Sequence, residues 1–87
     1  MSEKRDVVII GAARAAIGSF GGSLKDVPLG ELAAHVVREA IRRAGIQGED
    51  VQHTVVGNVL HTEPRDMYIS RVAAVNAGVP HSSPALT

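Results

Sequence analysis

The feature that most constrains the fold of this chain is a run of four branched apolar residues at positions 7–10, followed by a glycine and two alanines. A strand with one solvated face alternates apolar and polar residues, and this run does not alternate. Short continuous runs of this kind are typical of strands that are covered on both faces by helices. The run therefore predicts a doubly covered strand over residues 6–13 in a layered α/β structure.

The clearest helix signal lies at residues 29–44, where apolar residues recur three and four positions apart. That spacing places them on one face of an amphipathic helix, opposite a face of charged residues. The apolar positions are Leu29, Leu32, Ala33, Val36, Val37, Ala40, Ile41 and Ala44. Pro28 suits a helix start, and Gly45 suits the left-handed residue that follows a helix end. The pattern predicts a helix from 29 to 44.

Two further strands and a second helix follow. Residues 54–60 form another nearly continuous apolar run, which predicts a buried strand parallel to the first and joined to it through the helix in a right-handed βαβ unit. Residues 67–77 predict a helix that is buried around most of its circumference and ended by Gly78. Residues 85–87 have the character of the opening of a third strand, so we expect the chain to stop within an element.

The connecting segments carry two local predictions. Residues 47–53 are polar and predict a connector with a helical turn. In the glycine-rich stretch before the first helix, Ile17, Phe20 and Leu24 are expected to anchor the loop against the core.

Composition limits what a chain of 87 residues can be. Typical domains have roughly 100–150 residues, so we expect residues 1–87 to be an incomplete domain. Nine basic and nine acidic residues cancel, which argues against partners such as nucleic acid or an anionic membrane surface. The charged start and the short apolar run after it argue against a signal peptide or a membrane span, so a cytoplasmic location is expected.

The sequence offers few groups for catalysis. It contains no cysteine, which excludes a thiol nucleophile, a thiolate metal site and a disulfide within these residues. No serine lies in a nucleophile-elbow motif, and the four histidines do not form a ligand set. His61, Glu63 and Asp66 carry metal-ligating groups, but Pro64 and the mixed spacing disfavour a metal site. We therefore expect no catalytic residue and no metal in this chain.

Dinucleotide binding is an alternative function, because the apolar run at 7–10 is followed directly by a glycine. Gly11 follows a predicted buried strand, where a glycine lets a pyrophosphate approach the backbone. However, Ala13 and Ala16 occupy the second and third glycine positions of the dinucleotide fingerprint. No acidic residue ends the second predicted strand to hold a ribose.

Three stretches carry a family pattern when they are taken in order: RAAIGSFGG at 14–22, GNVL at 57–60 and RDMYISRVAAVNAGVP at 65–80. Together they resemble the thiolases, the family of acetyl-CoA acetyltransferases. Residues 14–22, RAAIGSFGG, resemble the family's Arg-Thr-Pro-Ile-Gly-x-Phe-x-Gly opening, with two alanines in place of Thr-Pro. Residues 57–60, GNVL, and residues 65–80, RDMYISRVAAVNAGVP, match the family in the same order. Residues 63–68, EPRDMY, are similar to the broad-specificity β-ketothiolases of bacterial polyhydroxyalkanoate synthesis.

The resemblance implies a three-layer α/β/α domain, of which residues 1–87 supply two strands, two helices and the start of a third strand. It implies that the whole protein is an acetyl-CoA C-acyltransferase that performs a reversible Claisen condensation of acyl-CoAs. The family uses a nucleophilic cysteine followed by Gly-Ser-Gly, which is expected only a few residues beyond Thr87. This segment is then scaffold, and we expect it to be inactive alone.

The resemblance also implies roles for five residues as substrate-pocket or dimer-interface positions. Met67 falls where the family places a loop residue near the active site of the neighbouring subunit, so it is expected to line an acyl pocket or else to be a core residue. Arg71 matches a family arginine in the second helix, with a structural or interface role. Ala85, Leu86 and Thr87 are expected to begin a strand that pairs antiparallel with its twin across a dimer.

This interpretation also implies the partners of the segment. They are the remainder of the same polypeptide or a complementary C-terminal chain, a second copy in a homodimer or homotetramer, and acyl-CoA. No cofactor is expected to bind the segment itself, and coenzyme A thioesters are the implied substrates of the full enzyme. The alternative function is a non-catalytic α/β interaction module that docks on a partner.

Overall fold

The computed structural model describes residues 5–87, so most of the charged lead-in at 1–5 lies outside the described residues. The elements in chain order are α1 (Leu29–Ala44), a 3₁₀ turn (Gly48–Asp50), β1 (Thr54–Val55), a second 3₁₀ turn (Pro64–Tyr68), α2 (Ile69–Asn76) and β2 (Ala85–Leu86). We refer to the second 3₁₀ turn as the Pro64 turn. Two helices and two parallel strands confirm the predicted α/β class, and the first 3₁₀ turn confirms the helical turn of the connector.

Helix α1 has the bounds that its apolar spacing predicts. Pro28 precedes the helix as its cap. At the other end Gly45 adopts a left-handed φ of 72°. Its N–H donates to the Arg42 carbonyl at 3.1 Å, and the next N–H, of Ile46, donates to the Ile41 carbonyl at 3.4 Å. This pair of bonds is the glycine-terminated helix end that satisfies the last carbonyls.

The outer face of α1 carries an exposed ion-pair group around Glu39. Arg42 and Arg43 each donate from Nε to the Glu39 carboxylate at 2.8 Å. The Arg42 guanidinium, assisted by Arg43, lowers the pKa of Glu39 to about 2. Because the arginines are solvent-exposed, screening makes this group a minor contributor to stability.

The sheet consists of β1 and β2, which run parallel with Thr54 opposite Ala85. The N–H of Thr54 donates to the Pro84 carbonyl at 3.0 Å, and the N–H of Val56 donates to the Leu86 carbonyl at 2.9 Å. Helix α2 lies between the two strands in the chain, as parallel pairing requires. The observed βαβ unit therefore joins the second and third predicted strands, whereas we predicted the first and second.

The first predicted strand is not part of this sheet. Residues 7–10 have no strand partner within the described chain, and Val7 and Ile9 are 95% and 90% exposed. Strand geometry is stabilised by hydrogen bonds to a neighbouring strand, and residues 5–87 provide none at this position. The segment instead runs beside α1, where a Cβ on Gly11 would come within 2.9 Å of the Ala44 Cβ.

Two other predictions from local pattern also need correction. The strand predicted over residues 54–60 is limited to β1, because the ladder ends where β2, its only partner within residues 5–87, ends. The loop residues Ile17 and Phe20 are exposed, whereas they were expected to anchor their loop. Only Leu24 among the three is partly covered. An apolar side chain packs down only where a surface exists to receive it.

Helix α2 begins two residues later than predicted, because the Pro64 turn occupies the positions before it. Its burial is confirmed on the face toward α1 and the sheet, but the prediction of burial around most of its circumference is wrong, because Val75 and Asn76 are exposed. The buried apolar residues of the described chain are Ala34, Ile69, Ala73, Ala74 and Val79. The three alanines among them are small enough to let the helices approach closely, and a Cβ on Gly30 of α1 would lie 2.9 Å from Cγ1 of Val72 in α2.

The C-terminal end of α2 is fixed by hydrogen bonds from α1 and from the residues that follow it. The Arg38 guanidinium of α1 donates from Nη2 to the carbonyl of Asn76 at 2.8 Å, where the helix dipole favours a cation. Gly78 has a φ of 95°, and the N–H of Val79 returns to the Ala74 carbonyl at 2.9 Å. Gly78 therefore ends the helix as predicted. Within residues 5–87, neither helix combines the length and the apolar character that crossing a bilayer requires.

Candidate functional site

The five residues predicted for a pocket or an interface lie on three consecutive parts of the chain. Met67 is in the Pro64 turn and is 58% exposed, Arg71 is in α2, and Ala85 and Leu86 form β2 with Thr87 directly after it. The structure links α2 to the β2 end through hydrogen bonds. The position of the exposed Met67 side chain is set by the Pro64 turn, which contains this residue.

Arg71 joins α2 to the segment that leads into β2. Its Nη1 donates to the carbonyls of His81 at 3.2 Å and Ser83 at 2.9 Å. The Ser83 hydroxyl in turn donates to the Val51 carbonyl at 2.6 Å, just before β1. One guanidinium thus holds the entry to the parallel pair in place. These contacts are within the chain, and the pocket or interface role expected for Arg71 stays a prediction.

Thr87 is held against the first turn of α2 by Ser70. The Ser70 N–H donates to Thr87 Oγ1 at 3.1 Å, and the two hydroxyl oxygens lie 2.7 Å apart in a second hydrogen bond. Ser70 is buried. Sequence reasoning missed Ser70, because no local pattern links it to a residue seventeen positions further along the chain.

Asp66 anchors the Pro64 turn and is fully buried, at 0% exposure. Its Oδ2 accepts a hydrogen bond from the Thr62 N–H at 2.7 Å, another from the Thr62 hydroxyl, and a third from the Glu63 N–H at 3.1 Å. These donors, the Thr62 hydroxyl first, lower the pKa of Asp66 below its usual range. The other oxygen, Oδ1, is buried and has no hydrogen-bond partner within the described chain.

Sequence reasoning considered Asp66 only as a weak metal ligand and missed its anchoring role. The local signal was weak, because a capping box has Ser, Thr, Asp or Asn first and Glu or Gln three residues later, whereas here Glu63 precedes Asp66. In the structure, the Glu63 N–H donates to Asp66 Oδ2 at 3.1 Å, and the Asp66 N–H donates to the Glu63 backbone carbonyl at 3.0 Å. Within residues 5–87, no three histidine, cysteine, aspartate or glutamate side chains are grouped to hold a metal ion.

The arrangement can position groups, but it holds no thiol nucleophile, since the sequence has no cysteine. A surface cleft of about 540 Å³ lies elsewhere, along the outer side of α1 from His35 to Gly48. None of the five predicted residues lines it. The hydrogen bonds described above hold a turn, a helix start and a strand end in place.

Comparison with known proteins identifies the family. Residues 7–87 match the model described as "Thiolase, N-terminal domain". The beta-ketothiolase BktB of Cupriavidus necator is 63% identical over 83 residues, which cover 95% of this chain and 21% of that protein. The cytosolic acetyl-CoA acetyltransferase of Rattus norvegicus is 46% identical over 79 residues, covering 91% of this chain and 20% of that protein.

A solved structure gives the same result. The Acat5 thiolase of Ascaris suum, in complex with coenzyme A, superposes with a TM-score of 0.87 at 31% identity, over 95% of this chain and 22% of that one. The chain thus spans about a fifth of the length of each of these three relatives. These matches favour the thiolase interpretation over the alternative of an unrelated interaction module. The chain therefore belongs to the thiolase family and corresponds to the N-terminal part of these enzymes.

Proposed function

We propose that residues 1–87 are the N-terminal scaffold segment of an acetyl-CoA C-acyltransferase of the β-ketothiolase type. The observation that carries this proposal is the 63% identity to a β-ketothiolase, within a family match that extends over residues 7–87. The sequence contains no cysteine, so the nucleophile of the complete enzyme lies outside these residues. The segment is incomplete as a domain and inactive by itself.

In the complete enzyme, a cysteine thiolate displaces the CoA thiolate from an acyl-CoA and forms a thioester with the acyl group. A second acyl-CoA loses an α-proton to a base. The resulting carbanion attacks the acyl carbon, which forms the new C–C bond and expels the cysteine thiolate. Backbone and side-chain donors stabilise the oxyanions on this path. Thiolysis is the same sequence in reverse.

The predicted residues take supporting roles in this proposal. Met67 lines an acyl pocket, which is consistent with the exposure of its side chain on a turn anchored by Asp66. Arg71 braces the entry to β2 through two carbonyls. Residues 85–87 continue into a strand that pairs antiparallel with its twin across a homodimer, the unit of a dimer or tetramer. The side chain of Leu86 is exposed in this chain, so it is available to be buried against the twin strand of a dimer.

Partners and location follow from the same proposal. The exposed residues 7–10 are covered by the remainder of the polypeptide or by a complementary C-terminal chain. Acyl-CoA is the substrate, and no cofactor or metal binds this segment. The cytosolic designation of the rat relative supports a cytoplasmic location.

The test compares two purified proteins, the full-length polypeptide that carries this segment and residues 1–87 alone. We expect the full-length protein to cleave acetoacetyl-CoA with CoA, and residues 1–87 to show no turnover. Replacing the first cysteine after residue 87 by serine in the full-length protein is the control, and it should abolish turnover. Turnover by residues 1–87 alone, or none by the full-length protein, would overturn the proposal.

A further inference from the structure

The buried carboxylate of Asp66 calls for an explanation. A buried carboxylate is costly unless it is paired or well hydrogen-bonded. Asp66 satisfies one oxygen with three donors from Thr62 and Glu63, yet its Oδ1 is buried without a partner in the described chain. Buried polar atoms without partners are rare in folded proteins. The question is what this arrangement holds in place.

The burial of Asp66 and of Ile69, which follows the turn, indicates what this arrangement holds in place. Asp66 is 0% exposed and Ile69 is 1% exposed, while Met67 between them is 58% exposed. The turn itself is closed by the Asp66 N–H, which donates to the Glu63 carbonyl at 3.0 Å. Two buried anchors three residues apart therefore leave the backbone at Met67 little freedom, so its side chain is directed outward.

The donors to Asp66 extend this rigidity backward along the chain. Both backbone N–H groups that bond to Oδ2 come from the loop before the turn, at Thr62 and Glu63. Hydrogen bonds to an ionised acceptor are about twice as strong as neutral ones. The carboxylate thus joins the loop and the turn into one unit that carries Met67.

We propose that Asp66 is a positioning residue for acyl-chain selectivity, which it exerts by holding Met67 at the acyl pocket. This inference rests on the proposed function, which assigns Met67 to that pocket. Asp66 does not contact the reacting atoms in this proposal. Its effect passes entirely through the geometry of the Pro64 turn.

The experiment measures kcat/KM of the full-length enzyme for thiolysis of a four-carbon and a six-carbon 3-ketoacyl-CoA. Met67→Ala opens the pocket and should raise the six-carbon to four-carbon ratio by roughly 10-fold, the lower end of what a pocket side chain contributes. Asp66→Ala loosens Met67 and should shift the ratio in the same direction. Asp66→Asn keeps an acceptor oxygen without the charge and should give an intermediate shift.

The double variant Asp66→Ala with Met67→Ala decides whether the effect passes through Met67. If it does, Asp66→Ala adds no further change in the ratio once Met67 is truncated, because residues acting as a unit are non-additive. A multiplicative effect in the double variant would overturn the inference. An unchanged ratio in both Asp66 variants, with Met67→Ala effective, would also overturn it.

A matched control is Asp50→Ala, since Asp50 caps the other 3₁₀ turn by accepting from the Gln47 N–H at 2.8 Å. It should leave the ratio unchanged, and a shift equal to that of Asp66→Ala would overturn the inference.

Hydrogen exchange at Thr62 and Glu63 gives a readout without turnover. Protection there should fall in Asp66→Ala, and unaltered protection counts against the inference. The proposed function fails separately, if the unmodified full-length enzyme shows no thiolysis.

Discussion

At Asp66, two physical effects act on one carboxylate in opposite directions. Burial raises its pKa by disfavouring the charged form, while the Thr62 hydroxyl and the N–H groups of Thr62 and Glu63 lower it. The hydrogen bonds prevail, so the pKa lies below the ordinary value of 3.8. The ionised form is thus the one that the folded turn stabilises.

This direction predicts how the turn responds to acid. A group with a lowered folded pKa stabilises the fold fully above its unfolded pKa and loses that contribution as pH falls through the folded pKa. In the full-length protein, hydrogen-exchange protection at Thr62 and Glu63, corrected for intrinsic rates, should therefore be constant above about pH 5 and decrease below it. In Asp66→Asn this acid-dependent decrease should be absent. Protection that stays constant or increases toward low pH in the unmodified protein would contradict the prediction.

At the scale of elements, the contact between α1 and α2 depends on a missing side chain. Gly30 lies in the first turn of α1, where Val72 of α2 comes so close that a Cβ would lie 2.9 Å from its Cγ1. A branched side chain has little freedom to move aside. The glycine therefore serves helix packing, although it is a poor helix former.

Gly30→Ala should destabilise the full-length protein by about 1 kcal/mol, because overpacking costs about 1–3 kcal/mol and the gain in helix propensity is at most about 1 kcal/mol. Urea unfolding measures the change. Val72→Ala supplies the control, since it makes room for the new methyl group. The double variant should be more stable than the sum of the two single changes by at least about 0.5 kcal/mol. Strict additivity would show that the two side chains do not meet.

At the scale of the whole molecule, the described chain is more extended than a compact chain of the same length. Its radius of gyration is 14.6 Å, whereas a compact chain of this length has about 12 Å. The apolar residues 7–10 are also exposed in the described chain. Apolar surface of this extent is stabilised only when another surface covers it.

The prediction at this scale concerns the two faces of residues 7–10. Successive residues of a strand point to opposite faces, so Val8→Lys and Ile9→Lys each place a charge on a different face. If both faces are covered in the full-length protein, each variant should lower its stability by about 2 kcal/mol or more. Thermal unfolding compares them with Ser23→Lys at an exposed loop position, which should be neutral. A neutral Val8→Lys or Ile9→Lys would show one face to be solvated.

The sequence alone determined the features that depend on near neighbours in the chain. The bounds of α1 follow from apolar spacing and from Gly45, because helical hydrogen bonds join residues four apart and helix ends are closed locally. The ordered thiolase motifs likewise identified the family, which needs no geometry. The local contact of Glu63 with Asp66 departs from the capping-box signature and was overlooked.

Only the tertiary structure decided the features that depend on distant partners. A strand exists where another strand lies beside it. The pairing of Thr54 with Ala85, and the lack of a partner for residues 7–10 within the described residues 5–87, were therefore not contained in local pattern. The contact of Ser70 with Thr87 is of the same kind. Sheet hydrogen bonds and side-chain bridges join groups that only folding brings together, and composition or periodicity does not encode that proximity.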